Sequence, residues 1–311
     1  SGCPLCYEMP RSSLKGEVNN NGATYKNFED IMVRQQTAQL KTSPADIDGV
    51  YAWRALREAG FVMTSPHCHA YFELFYVESG ACSFFIGNNM YDLHAGDFLL
   101  IPPDVFHYTR YPYGDCRRCN IFFRACDVDE SVARTMPGQA EFFKEIRIFQ
   151  LPEGYREQME ELFARMVTER KIGDERSAPM LKALLQMMFL LCGRECTFLE
   201  SLPEDIHTTD REIVRAAQFI GSRYMDDISA EDIAAAAGYS PNYLSRKFRE
   251  AAGISVHEYL VFIRLQHAAL ELVSTTDSVT DIALRCGFSN GNYFKDAFKK
   301  KYGVTPTKYR R

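Results

Sequence analysis

Hydrophobic and polar positions divide the chain into stretches of different period. Residues 1–59 are mostly polar, carry the run Asn19-Asn20-Asn21-Gly22, and show helical patterning over 25–40. They predict an N-terminal arm with short helices, the last over 50–58. Between 60 and 126 the pattern shortens to "YFELFYV", "CSFFI", "DFLLI" and "CNIFFRAC". These runs are rich in aromatic and β-branched residues and are separated by "ESG", "GNN", "AG" and "PYGD". Short strands at close spacing predict an all-β barrel or jelly roll within 60–151. From 152 to 200 the period becomes helical, in "GYREQMEELFARMVTER" and "APMLKALLQMMFLLCG", a helical hairpin. The second helix is apolar on more than one face, through Leu181, Leu184, Leu185, Met188, Leu191 and Cys192. Such a helix needs two covering surfaces, either both within its own domain or one from a partner subunit. The polar stretch 201–209 reads as a linker to a last unit, 210–311.

That last unit contains a repeat of about 50 residues. "DIAAAAGYSPNYLSRKFREAAGISVHEYL" and "DIALRCGFSNGNYFKDAFKKKYGVTPTKYR" align through Ala234 with Ala283, Gly238 with Gly287, Phe248 with Phe298 and Gly253 with Gly303. In each copy a small residue lets two helices approach, a glycine four residues on supplies the turn, and a polar cap (Ser240, Ser289) opens a second helix. Two helix-turn-helix motifs point to double-stranded DNA. The helix between them, 256–273, spans about 27 Å. Successive major-groove faces lie about 34 Å apart, so both recognition helices can reach one side of a duplex.

Charge sharpens this picture. The whole chain carries a net charge of −5, which speaks against a nucleic-acid binder. Residues 208–311, however, hold 15 Lys and Arg and 12 Asp and Glu, a net of +3, leaving −8 for the remainder. A basic tail on an acidic front implies different partners for the two parts. At 311 residues the chain exceeds one typical domain, and 46% hydrophobic residues argue against long disordered segments. No apolar run reaches about 18 residues, so no membrane span is expected. No export-signal pattern opens the chain, so a cytoplasmic location and ten reduced cysteines are expected.

Residues 208–311 resemble the DNA-binding domain of the AraC/XylS family of bacterial transcription regulators, most closely through "GFSNGNYFKDAFKKKYGVTPTKYRR". The resemblance implies a DNA face of Pro241, Asn242, Ser245, Arg246 and Arg249 in the first motif. In the second it implies Gly291, Asn292, Lys295 and Lys299. Asp296 departs from the basic or polar pattern at its position. Arg246 suits guanine and the two asparagines suit adenine. Lys299, Lys300 and Lys301 suit phosphate. The resemblance further implies a homodimer formed through the hairpin, and contact with RNA polymerase if the protein activates.

Residues 60–107 are similar to the cupin barrel that many members of this family carry as a sensor. One motif runs Gly60, His67, His69, Glu73, Gly80 and a second Gly96, Pro102, His107, with Asp104 where glycine is usual. The architecture expected is therefore multidomain: an all-β cupin or jelly-roll barrel plus helical hairpin, then an all-α domain with two helix-turn-helix motifs. Residues 67, 69 and 73 share strand parity. Three imidazoles and a carboxylate suit Zn, Ni, Mn or Fe(II). The same side chains suit hydrogen bonding to a sugar or other polar effector, or a purely structural role. Two C-x-x-C pairs, Cys3 with Cys6 and Cys116 with Cys119, have the spacing of a structural zinc site. Arg117 and Arg118 beside Cys116 favour a redox-reactive thiol, and unrelated free thiols remain the third reading. The function expected is a regulator whose barrel binds a small-molecule effector and modulates DNA binding, not an enzyme. The alternatives are a metal- or thiol-redox-sensing regulator and, ranked last, a metal-dependent cupin enzyme, to which the DNA-binding repeat would be useless.

Overall fold

The computed structural model describes residues 49–61, 63, 66–198 and 211–310. They fall into two compact units, divided between 211 and 212. The helix expected over 25–40, the linker 201–209 and the pair Cys3 and Cys6 lie outside the described residues.

Among the described residues, nine strands, three α-helices and three short 3-10 helices build the first unit. A six-stranded antiparallel sheet runs in the order β1 (Tyr51–Arg57), β7 (Cys116–Phe123), β2 (Phe72–Ser79), β5 (Asp97–Ile101), β8 (Arg147–Gln150), β9 (Thr197–Phe198). A three-stranded sheet places β3 (Ala81–Ile86) between β4 (Asn89–His94) and β6 (His107–Arg110). Phe75, Val77, Leu99, Ile101 and Cys116 of the large sheet pack against Cys82, Phe84, Ile86, Tyr91 and Leu93 of the small one. That cluster fills space between the sheets. The large sheet's other face carries Leu74, Tyr76, Phe98, Leu100, Ile121 and Phe123 under the helices. Strand β2 is therefore buried on both faces, which explains its continuous apolar run.

The expected helix over 50–58 is strand β1. Ala, Leu and Arg favour helix locally, but residues 51–57 complete a seven-residue ladder with β7. Pairing across the sheet outweighs propensity in such a segment. Strands β4 and β6 complete the small sheet and were not among the runs singled out from the pattern.

Helices α1 (Glu130–Ala133), α2 (Arg156–Ile172) and α3 (Ser177–Glu195) cover the large sheet. The hairpin of α2 and α3 is not a separate body: Phe163 stacks on Tyr76 at 5.2 Å, and Met159, Leu185, Met188 and Phe189 join the same core. Strand β9, just past α3, pairs with β8. Leu181, Leu184, Leu185, Met188 and Cys192 are buried there, while Met180, Met187 and Leu190 stay about half exposed.

The described residues of the second unit form helices only: α4 (Arg211–Arg223), α5 (Ala230–Ala237), α6 (Pro241–Ala252), α7 (Val256–Ser274), α8 (Val279–Arg285), α9 (Gly291–Tyr302) and α10 (Pro306–Tyr309). Helices α5 and α6, and α8 and α9, are the two helix-turn-helix pairs. Ser229 and Ser278 cap α5 and α8 by accepting from Asp232 and Asp281 amides. Helix α7 spans about 28 Å and buries Tyr259, Phe262, Leu265, Ala268 and Leu272. Its Arg264 donates to the Tyr224 and Asp226 carbonyls at 2.7 Å each, tying down the end of α4. No described helix is long and apolar enough to cross a membrane.

Candidate effector site and nucleic-acid interface

The sheets bring His67, His69, Glu73 and His107 together, with one ligand atom from each within 4.8 Å of every other. Shared parity on one strand is not what does it. His67 and His69 precede β2, and His67 forms an isolated bridge with His107, the first residue of β6. The chain then turns, and Glu73 enters from β2. Asp104 occupies a left-handed conformation, φ 62°, which explains why glycine suits that position. Its amide donates to the His69 carbonyl at 2.7 Å and so ties the loop before His107 to the first histidine pair.

The imidazoles are oriented from behind. His69 Nδ1 donates to the Tyr71 carbonyl at 2.8 Å, and His107 Nδ1 to the Val105 carbonyl at 2.9 Å. Both Nε2 atoms therefore face inward, toward Glu73 Oε2, at 3.0 and 3.3 Å. His107 Nε2 also lies 3.1 Å from His67 Nε2. With Nδ1 already protonated, a neutral imidazole presents a lone pair to that carboxylate. The cluster is satisfied only by added protons or by a cation among the four donors. Burial opposes ionisation of Glu73, but once added protons let His107 and His69 donate to it, those hydrogen bonds outweigh burial and hold the carboxyl well below its ordinary range. Burial, reinforced by His107 and His69, keeps His67 well below the usual imidazole value.

Behind the carboxylate runs a second layer. Asn120 Nδ2 donates to Glu73 Oε1, and Arg118 Nη1 donates to Asn120 Oδ1. His69 stacks on Tyr71 at 4.2 Å.

Cys116 and Cys119 do not converge. Three residues apart on β7, they point to opposite faces. Cys116 packs between the sheets beside Cys82, and Cys119 sits under the helices, its thiol donating to Glu78 at 3.0 Å. The expected zinc pair is thus not formed by this strand. A hydrogen bond with Cys82 lowers the Cys116 thiol against its burial, with the charge of Arg118 a smaller cause. Both thiols are fully buried.

In the second unit, Pro241, Asn242, Ser245, Arg246 and Arg249 on α6 are all exposed, as are Gly291, Asn292, Lys295 and Lys299 on α9. The burial pattern of α6 and that of α9 agree position for position over their first ten residues. Leu244 and Phe248, and Phe294 and Phe298, point inward. Two details differ from the expectation. The cap of α9 is Asn290 rather than Ser289, accepting from the Asn292 and Tyr293 amides at 2.9 and 3.1 Å, and Ser240 makes no side-chain cap bond. Lys301 is buried, with Nζ 3.5 Å from the Phe262 ring centre and 3.4 Å from the Phe262 carbonyl, so it does not face a phosphate.

Residues 54–190 match the AraC-like ligand binding domain family, and residues 233–311 match a helix-turn-helix domain family. The chain belongs to the AraC family of transcription regulators. An uncharacterized HTH-type transcriptional regulator of Staphylococcus aureus (strain COL) is 35% identical over 101 residues, 32% of this chain and 14% of that protein. The HTH-type transcriptional regulator MtrA of Neisseria gonorrhoeae is 36% identical over 102 residues, 33% of this chain and 34% of its own. The chain thus spans 14% and 34% of the length of these two relatives. The C-terminal domain of AraT, a response regulator from Geobacillus stearothermophilus, is 41% identical over 31% of this chain and 81% of that one, with a TM-score of 0.30.

The AraC-type sensor also contains site residues that sequence reasoning passed over. Asn120 and Arg118 carry no motif, although β7 parity puts them on one face. Tyr243 and Tyr293, partly exposed at 39% and 46%, occupy equivalent places on the two recognition helices.

Proposed function

We propose that this chain is a cytoplasmic regulator of transcription that binds double-stranded DNA through α6 and α9 in adjacent major grooves. In this reading the sensor barrel binds a small polar effector at His67, His69, Glu73 and His107. The observation that carries it is the matched pair of recognition helices, whose exposed faces hold Asn242, Arg246, Arg249, Asn292, Lys295 and Lys299. Arg246 lies over the Tyr243 ring at 5.1 Å, and its pair with Glu250 at 3.3 Å is exposed and costs little to release. An effector acts by binding one DNA-competent state better than the other, so turnover is not required. The exposed stripe Met180, Met187 and Leu190 on α3 supports a homodimer through the hairpin. RNA polymerase is a partner if the regulator activates.

Hydroxyl-radical footprinting of the full chain on selected DNA tests the reading. Two protected stretches about one helical turn apart are expected, and Arg246→Ala should weaken one of them by about 1–3 kcal/mol. A single protected stretch, or a footprint unchanged by the substitution, would refute it.

A second reading, a metal-responsive sensor, draws on the inward-facing Nε2 atoms. For bonds of about 2.1 Å, neighbouring ligand atoms lie roughly 3.0–3.4 Å apart. Three of the six separations are 3.0, 3.1 and 3.3 Å, and all six lie within 4.8 Å. His67, His69, Glu73 and His107 would hold Zn, Ni, Mn or Fe(II), with the Tyr71 and Val105 carbonyls fixing two imidazoles. Elemental analysis of the purified chain should then count one such ion, lost in His69→Ala; a metal-free protein removes this reading.

A further inference from the structure

The inward faces of β1 and β7 carry two guanidiniums and no carboxylate to match them. Arg57 stands opposite Cys116 and Ala55 opposite Arg118, so Arg57 and Arg118 are diagonal neighbours on one face. Both stack on the ring of Trp53, with Cζ at 5.3 and 4.9 Å from its centre. Arg57 also lies 4.4 Å from the Phe61 ring, and Arg118 5.3 Å from Phe75. Arg118 is 9% exposed, and neither Nε has a hydrogen-bond partner. Among the described residues neither arginine forms an ion pair. The contrast lies on the same strand: outward-facing Arg54 meets Glu78 at 2.6 Å. Arg118 reaches Glu73 only through Asn120, and that carboxylate already serves two imidazoles. Burial, and then the charge of Arg118, push the Arg57 guanidinium down from its ordinary value.

Holding two like charges side by side in a half-closed interior is costly unless an anion completes them. Rigid guanidinium forks match planar carboxylate and phosphate oxygens, and the rings of Trp53, Phe61 and Phe75 offer an apolar wall for the rest of a molecule. We propose that the effector of this barrel is a small organic anion whose carboxylate or phosphate group binds between Arg57 and Arg118 against Trp53. The proposal rests on the effector-site reading and adds the ligand's charge and anchor. The imidazole and Glu73 cluster then lies one hydrogen-bonded step away, through Asn120, to read a polar group at the ligand's other end.

Trp53 is the chain's single tryptophan, so its fluorescence reports this site directly. The full chain would be titrated, at constant ionic strength, with benzoate, phenyl phosphate and glucose 6-phosphate. Benzamide, phenol and glucose serve as uncharged counterparts. The expected result is a saturable change with at least one anion, absent with its uncharged counterpart and weakened tenfold or more in Arg57→Met. That variant keeps an apolar stem on Trp53 and Phe61, and an unchanged melting temperature shows it is folded. Carboxylates saturating before phosphates, or the reverse, identifies the anionic group. Saturation by an uncharged compound alone, or an Arg57→Met response equal to wild type, overturns the anion while leaving an effector site. No saturable response to any anion also overturns it, and the footprint on DNA then judges the regulator reading separately.

Discussion

Lys299, Lys300 and Lys301 are one basic run in sequence, yet the fold separates the last from the others. Lys299 is exposed on α9, whereas Lys301 is 7% exposed and lies over Phe262 of α7. A desolvated cation–π contact is worth about 2 kcal/mol, and the buried stem adds roughly another 1. Lys301→Ala is therefore expected to cost the helical unit about 2–3 kcal/mol. Lys301→Met keeps the stem and removes a buried charge, so it should cost less than about 1.5 kcal/mol. Neither should change how DNA binding depends on salt. Lys299→Gln is the mirror case: stability within about 0.5 kcal/mol of wild type, but a log–log salt slope shallower by about 0.9. Far-UV circular dichroism during urea unfolding reads the first quantity, because Trp53 reports only the sensor unit. Fluorescence anisotropy of labelled duplex DNA at several salt concentrations reads the second. A folded Lys301→Met protein whose salt slope falls as far as that of Lys299→Gln would refute the assignment of Lys301 to the core.

Three further perturbations follow from the same contacts. Gly80 has φ 80°, and a Cβ there would overlap the Asp115 carbonyl, so Gly80→Ala should destabilise the barrel by more than about 1–2 kcal/mol, seen as an earlier thermal transition. The depressed Glu73 pKa means that its stabilisation is present above the unfolded value, about 4.3, and is lost as pH falls through the folded value; urea melts of Glu73→Gln from pH 7 to 3 should show a flatter acid-side decline than wild type, and an identical decline would sink the idea. Asn290→Ala removes the acceptor for two amides of α9 and should cost about 1 kcal/mol in chemical denaturation, with weaker DNA binding at the second motif only.

Much of the site was legible because its residues are tied to local geometry. The glycines at 238 and 287 stand where the turns take φ 74° and 84°, and Asp104 stands where the backbone is left-handed. The four metal-type side chains were recognised by residue type and spacing, with His107 expected from a later strand, but His67 and His69 precede β2 instead of sharing a strand with Glu73, and a bridge to His107 places them. Asn120 and Arg118 could have been found only by knowing which strand pairs with which.

What the sequence determined by itself is whatever depends on near neighbours. The repeat, with its matched alanines, glycines and buried aromatics, specifies two helix-turn-helix pairs, since each motif closes over about twenty residues. The alternating and continuous apolar runs specify strands and the amphipathic hairpin. Tertiary structure decided whatever depends on distant partners. Residues 51–57 became a strand because β7 offered seven backbone partners. Cys116 and Cys119 were driven apart because a sheet has two faces. Lys301 was buried because α7 lies beneath it, and Arg57 and Arg118 were set on one ring because β1 and β7 pair in a single register. Pairing energies between distant segments exceed local propensities of a few tenths of a kcal/mol per residue, and a linear pattern does not contain them.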